Sequence, residues 1–506
     1  MMRTRAAMVL AVALAAQACG AVAPAERAET LDLDELVRTE WYGAYVLGRK
    51  AGYVVVVGER AKRDGADVFI DRAEARLVMK VADETLTVRL ELGLLYEAAP
   101  PYRLVGVETE ERTAQTTSRL RAVRDGDELA VTRLRHGRIT NKRMPAPRHT
   151  LVDTQRLEQF VEGNPEPGDT VAYLDFDPDA LVDKETTARV EEVVEKEWRG
   201  ETRRVFVLEL DDGESTSTRH LLEDGTVIKD AYGSTIVLKR EDEETARTLP
   251  DEAAWLDVRR TIAVAGLDTK GDEIGELVLA IAGMPDGVVV DRATQRVARG
   301  EDGALIVTLT PGVVPDEPLV TETDRERLGE YLDATDEIQS DHARIRRRAQ
   351  RIVRGVDDPA AQARRICRWV HRHVEGRDAG NYETALDVLR HLEGDCTEHA
   401  LLFVALCRAA GIPARQVSGL VYSGPAERAF AMHRWAQVYV GEWVDVDPTL
   451  NQFPADATHI ELDVEGDRWF ELFGAFDTIR IEVVSVEERQ GVAESSGGRG
   501  VEKSLP

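Results

Sequence analysis

The spacing of apolar and polar residues divides the chain into regions of different period. Residues 6–16 are an unbroken apolar run behind Arg3 and Arg5. The run is too short for a bilayer, which needs about 20 apolar residues, and it fits the core of an export signal. From 41 to about 249 the period is mostly two, in short runs broken by turns. Positions 41–47 and 51–57 flank Gly48-Arg49-Lys50, and positions 188–198 and 204–210 flank Arg199-Gly200-Glu201, so each pair predicts a hairpin. A stretch of helical spacing at 152–162 interrupts the pattern, which leaves the region as one antiparallel meander or as two sub-units. Further strands are expected at 258–265, 276–282 and 304–310, closed by Pro311-Gly312.

From about 322 the period changes to that of helices. Charged amphipathic runs cover 323–333 and 342–353. Asp358-Pro359 then supplies an N-cap and a first-turn proline for a helix carrying Ile366, Trp369, Val370 and Val374. A short helix at 383–392 leads to Gly394-Asp395-Cys396-Thr397-Glu398-His399-Ala400. There an amphipathic helix is expected, with Ala400, Phe403, Val404, Cys407 and Ala410 on one stripe and Gly411-Ile412-Pro413 as its stop. Strands follow at 433–440 and 443–447. Their even positions, Ala436, Val438, Val440, Val444 and Val446, are all apolar. If that face is buried in both strands, even must pair with even, which calls for an odd-length turn. His433, Trp435, Asp445 and Asp447 then share the other face.

Cys396 heads the helix stripe, where unsatisfied N–H groups and the positive end of the helix dipole favour a thiolate and can hold an oxyanion. A cysteine at a helix start, followed by a histidine and an aspartate on strands, is the layout of a papain-type nucleophile. In that layout Cys396 attacks a carbonyl carbon. His433 holds the thiol proton and returns it to the leaving amine, and Asp447 orients the imidazole. Taken singly, each residue is ordinary: a packing cysteine, a structural histidine, a strand-end aspartate. Their order on the expected elements is what points to chemistry.

At these residues the chain resembles the bacterial transglutaminase-like superfamily of cysteine enzymes. The matching elements are Ala385-Leu386-Asp387-Val388-Leu389, the cysteine motif, and Arg408-Ala409-Ala410-Gly411-Ile412-Pro413-Ala414-Arg415. They continue with His433-Arg434-Trp435, Trp443-Val444-Asp445-Val446-Asp447-Pro448-Thr449 and Asp456-Ala457-Thr458-His459-Ile460. The resemblance covers roughly 320–475. It implies a papain-like α+β fold and the triad Cys396, His433 and Asp447, with Tyr382 as the nearest candidate for a further oxyanion donor. The expectation is an exported thiol hydrolase cutting a peptide or side-chain amide, with cross-linking acyl transfer to an amine as one alternative and a non-catalytic envelope binding or assembly protein as another, because relatives include peptidases, amidases, cross-linkers and inactive members.

The fold class expected is therefore multidomain: antiparallel all-β at the N-terminus, then an α+β transglutaminase-like domain. The boundaries are a signal peptide at 1–19, a tether at 20–34, a β-domain at 35–249 and a small β-domain at 250–318. The catalytic domain follows at 319–488, with a disordered tail at 489–506. At 506 residues the chain is long enough for about three cores. A formal charge of -28 argues against a nucleic-acid partner. Ala16-Gln17-Ala18 ahead of Cys19 resembles a lipobox, which would make Cys19 a lipidated N-terminus and the protein a periplasmic or outer-membrane lipoprotein; cleavage after Ala18 or Ala23 is the alternative. Trp41-Tyr42-Gly43 through Gly52-Tyr53 resembles a pattern of periplasmic β-domains of the lipoprotein-carrier type, beside the plainer reading of aromatic core residues.

No cofactor is expected. His399 and Cys407 lack further converging ligands for zinc, and the acidic run at 461–467 lacks a calcium-loop spacing. Glu398 reads as helix-dipole support, and Asp456 and His459 as braces for the loop after Asp447. The partner expected is a protein or peptide substrate.

Overall fold

The computed structural model describes residues 31–489, apart from short segments at 82–83, 114–115, 214, 234, 250–253, 257–260, 302, 317–318, 378–381 and 465–467. The export signal, Cys19, most of the tether and the tail beyond 489 lie outside the described residues. The chain divides into two compact units. One runs to Asp257 and takes in Trp469–Gly474; the other is Val258–Arg468 with the residues from Ala475 on.

The first unit is built on a fifteen-stranded sheet. Eight consecutive strands, from Arg38–Val46 to Arg138–Pro145, form one meander, six more, from Thr170–Asp177 to Ile236–Glu241, form a second, and the short Ala254–Leu256 pairs in parallel with Ala66–Val81. The helix Arg156–Glu162 lies between them in sequence, yet the sheet is continuous, because the last strand pairs with the first, Trp41 opposite Glu241 and Val46 opposite Ile236. That pairing satisfies a strand that would otherwise be an open edge. The hairpins are tighter than their sequence suggests. The turns are the two residues Leu47-Gly48 (φ 49° and 75°) and Arg199-Gly200 (φ 53° and 84°), whose twist matches that of the flanking strands. Alternate strand positions fill the apolar cores, with Phe69, Tyr96, Leu104 and Phe176 in one cluster. Phe206, Leu208 and Leu221 form another with Leu157 and Val161 of the helix. Tyr42, in the aromatic pattern near the start, is buried, and Trp41 packs 5.7 Å from Tyr53.

The second unit joins helices to a nine-stranded sheet. Its strands are β1 (Thr261–Ala265), β2 (Ile274–Ala282), β3 (Gln295–Arg299), β4 (Leu305–Leu309), β5 (Ala414–Tyr422), β6 (Ala429–Tyr439), β7 (Trp443–Val446), β8 (His459–Leu462) and β9 (Arg480–Glu488). The order is β3-β4-β2-β9-β1-β6-β5-β8, with β7 on the edge of β6. Segment 250–318 is thus not a domain apart. Its strands from Thr261 on are knitted into the sheet that carries the candidate chemistry, because the C-terminal β9 lies between β2 and β1, and β1 pairs with β6, while Ala254–Leu256 pairs in the first sheet. The division observed falls at Asp257/Val258 rather than near 318.

The helices that pack on one another are α1 (Ala343–Ile352), α2 (Pro359–His373), α3 (Ala385–His391) and α4 (Cys396–Ala409). Asp358 caps α2 by accepting from the Ala361 N–H at 2.6 Å, with proline in the first turn, as the sequence predicts. α4 differs from its expected one-sided stripe: every residue from Glu398 to Cys407 is buried. It is packed among α1, α2, α3 and the strands β5 and β6. One core therefore holds Phe403, Val404 and Cys407 together with Leu401, Leu402 and Leu406 of the supposedly outer face.

Candidate active site

The start of α4 is set by Asp395. Its carboxylate accepts from the Thr397 N–H at 2.7 Å and from the Glu398 N–H, and the Glu398 side chain accepts from the Asp395 N–H at 2.8 Å. This reciprocal capping box fixes the first turn. It also narrows the expectation for oxyanion binding: the N–H groups of Thr397 and Glu398 are taken by Asp395, and that of His399 by the Asp395 carbonyl at 3.1 Å. The capping leaves the Cys396 N–H outside it. Gly394 approaches at φ 152°, where a Cβ would meet the Glu398 side chain at 2.4 Å, so this entry to the helix requires glycine. Burial, then Asp395, push the Glu398 carboxyl well up, and burial pushes His399 down. Both act in the local scaffold, His399 through an Nδ1 contact of 2.7 Å with the Asp395 carbonyl.

β6 and β7 pair in the even-with-even register, Ala436 opposite Val446 and Val438 opposite Val444. Three residues, Val440-Gly441-Glu442, make the turn, with Gly441 at φ 104°. His433, Trp435, Asp445 and Asp447 consequently lie on one face. His433 Nε2 is 2.7 Å from Asp447 Oδ2, both side chains being essentially inaccessible to solvent, and the partly exposed Cys396 lies within electrostatic reach of the imidazole. With Nε2 committed to Asp447, Nδ1 is the nitrogen left for the thiol. Burial pushes the His433 imidazole down, but Asp447 and Cys396 outweigh it and hold it up at about 10. Asp447 has the converse balance. Burial pushes its carboxyl up, and His433 and His459 bring it far below the usual carboxylate range. Its Oδ1 accepts from the N–H groups of Thr449 at 2.7 Å and Leu450 at 3.0 Å, a side-chain turn that the following Pro448 permits.

Residues 346–448 match the model of the transglutaminase-like superfamily. This stretch is a transglutaminase-like domain. A protein of Haemophilus influenzae is 35% identical over 105 residues, 20% of this chain and 28% of its own length. One of Mycobacterium leprae is 27% identical over 158 residues, 28% of this chain and 55% of its own length. Both are described only as uncharacterised, and the chain spans about a quarter to a half of them. A solved structure described as a candidate cysteine protease from Cytophaga hutchinsonii aligns with a TM-score of 0.27 at 16% identity, over 46% of this chain and 92% of that one.

Beyond the matched residues the transglutaminase-like domain is completed by groups that sequence reasoning placed loosely or missed. His459 on β8 is more than a brace for a loop: its Nε2 lies 3.2 Å from Asp447 Oδ2 and its Nδ1 3.2 Å from Asp456 Oδ1. His433, Asp447 and His459 are close enough to suggest a metal cluster. Both nitrogens of His459 face carboxylates, however, which leaves that ring no lone pair for a metal and makes the group a hydrogen-bonded one. Arg292, in the β2–β3 connection, was not anticipated. It donates to both Asp445 oxygens at 2.6 and 3.0 Å, and its Nε lies 2.7 Å from Glu461 as an ion pair, off the hydrogen-bonding line. Asp445 also accepts from Trp435 Nε1 at 2.9 Å, so this network fixes the indole that walls His433 and His459. A signal was available: on β8 the odd positions His459 and Glu461 are polar between apolar Ile460 and Leu462.

Of the other expected residues, Tyr382 spends its hydroxyl on Glu393 at 2.7 Å and stacks on His391. Cys367 and Cys407 are buried free thiols, both pushed up by burial, and Cys367 reaches the Asp447 carbonyl at 3.7 Å. Cys396 is the partly exposed cysteine among the described residues.

Proposed function

We propose that this protein is a thiol hydrolase of the cell envelope that cuts a peptide or side-chain amide through Cys396, His433 and Asp447. The observation that carries the reading is the buried imidazole of His433, hydrogen-bonded to Asp447 at 2.7 Å and within electrostatic reach of Cys396 at the head of α4. In the reaction the Cys396 sulfur attacks the carbonyl carbon, and the C=O electrons move to oxygen beside the Cys396 N–H. Collapse of that intermediate breaks the C–N bond, and His433 passes its proton to the departing amine. Water then gives a proton to His433 and attacks the thioester, which releases the acid and restores the thiol. Water as acceptor makes the protein a peptidase or amidase, and a lysine amine at the same step would make it a cross-linker. Export and a lipid anchor at Cys19 belong to the same reading and rest on the signal-like sequence alone.

The test is alkylation of Cys396 by iodoacetamide at neutral pH, in wild type and in His433→Ala. Loss of the imidazole is expected to slow the reaction at least about tenfold, because the thiolate fraction sets the rate. Equal rates in the two proteins would remove the reading. A glutamine peptide incubated with a labelled primary amine separates the acceptors: only a cross-linker incorporates the label.

A further inference from the structure

His459 lies beyond residues 346–448 and is 2% exposed at its side chain. An ionised carboxylate only accepts hydrogen bonds, so a ring whose two nitrogens both face carboxylates must carry two protons. The two acceptors are themselves held in place. Asp456 Oδ1 accepts from the Thr458 N–H at 3.0 Å and the Thr458 hydroxyl at 2.6 Å, and its Oδ2 from Gln452 Nε2 at 2.7 Å. Asp447 receives His433 and His459 on Oδ2 and two backbone N–H groups on Oδ1. Four donors leave that carboxylate no freedom to turn, and the Trp435 ring, edge-on to His459 at 5.1 Å, closes the space beside it.

We propose that His459 is a positioning residue of the active site: a buried cation, held between Asp456 and Asp447, that locks Asp447 against His433 and draws off part of its charge. The proposal rests on the thiol-hydrolase reading. Were Asp447 to face His433 alone, its full charge would bind the His433 proton and hinder its transfer to the leaving amine. A second cation on the same carboxylate oxygen weakens that hold, and its positive charge also favours the thiolate of Cys396.

The groups facing His459 are Asp447 and His433 from the strand side and Asp456 from the preceding turn. Glu461, two residues on, is turned to Arg292 and Gln437. From the helices, Cys367 touches the Asp447 carbonyl, and His399 lies within electrostatic reach of the Asp447 carboxylate. Asp456 and Asp447 outweigh burial and hold the His459 imidazole up at about 10, in keeping with a ring that stays charged at neutral pH.

The experiment uses the full chain and follows Cys396 alkylation by iodoacetamide against pH. In His459→Gln the acid limb of the rate profile is expected to move up by about one pH unit, a tenfold loss of rate on that limb. Asp456→Asn keeps an acceptor for Nδ1 but lets the ring lose a proton. On the acid limb, where the ring is still protonated, it should therefore follow wild type; an acid limb displaced as in His459→Gln would overturn the proposal. A wild-type profile in His459→Gln, with His433→Ala still slowed, overturns the proposal and leaves the function reading standing. An unaltered His433→Ala overturns the function reading itself. Should His459→Gln fail to fold, imidazole NMR of the wild-type protein decides: two ring N–H protons on His459 at pH 8 support the proposal, and one overturns it.

Discussion

At the residue scale the site is a row of buried charges whose pairing gives it a pH signature. His433 and His459 are held at about 10, above the 6.5 of a free imidazole, by carboxylates that outweigh burial. Groups raised in this way stabilise the folded state fully below about 6.5 and lose that contribution as pH climbs toward 10. Asp456, brought to about 2 from 3.8, contributes above the free value and loses its contribution as pH falls toward 2; Asp447 follows at still lower pH. Burial opposes the shift in all four groups. The expected melting temperature is therefore highest between about pH 4 and 6.5 and declines toward pH 10. In His459→Gln the alkaline decline should be shallower, since one of the two raised imidazoles is gone. Equal slopes in a calorimetric pH series would mean that His459 carries no proton the unfolded chain lacks.

At the scale of elements, the helix and strands that carry Cys396, His433 and Asp447 are held by close backbone approach as well as by apolar packing. Gly419 on β5 lies opposite His433, and a Cβ there would meet the Ile460 carbonyl at 1.9 Å and the Trp435 ring at 2.9 Å. Gly419→Ala must therefore push β8 away from β5 and carry His459 off Asp447. The expected result is a loss of about 1–3 kcal/mol, as for other overpacked sites, together with slower Cys396 alkylation. Leu402→Ala, in the fully buried middle of α4, should cost about 2–5 kcal/mol through its cavity and leave Cys396 reactivity near wild type in the folded fraction. Urea unfolding and alkylation on the same samples separate the two cases. A Gly419→Ala protein of wild-type reactivity would show that β8 does not govern the Cys396 thiol.

At the scale of the molecule, the sheet of the second unit has no boundary at 318. Arg292 reaches from the β2–β3 connection to Asp445 beside β6 and to Glu461 on β8, and so ties the early strands to the face that holds His433 and Asp447. Burial, the largest effect on Glu461, pushes its carboxyl up against the pull of Arg292. Arg292→Met would leave two buried carboxylates uncompensated, at a cost of about 3–5 kcal/mol. Hydrogen exchange should then quicken in the amides of β6 and β8. Protection equal to wild type would show the pair to be relieved by some other route.

The sequence by itself determined the parts whose signals are local. The period of two in 433–447 put His433 and Asp447 on one face and demanded the odd-length turn that Val440-Gly441-Glu442 supplies. The helical spacing after Cys396 and the stop at Gly411-Ile412-Pro413 put Cys396 at the head of α4. These follow from rules that act within a few residues. Only the tertiary structure decided that α4 is buried on every side, that β9 inserts between β2 and β1, that Arg292 meets Asp445, and that His459 shares Asp447 with His433. Each of these depends on strand order and helix packing across long stretches of chain, which no local period encodes.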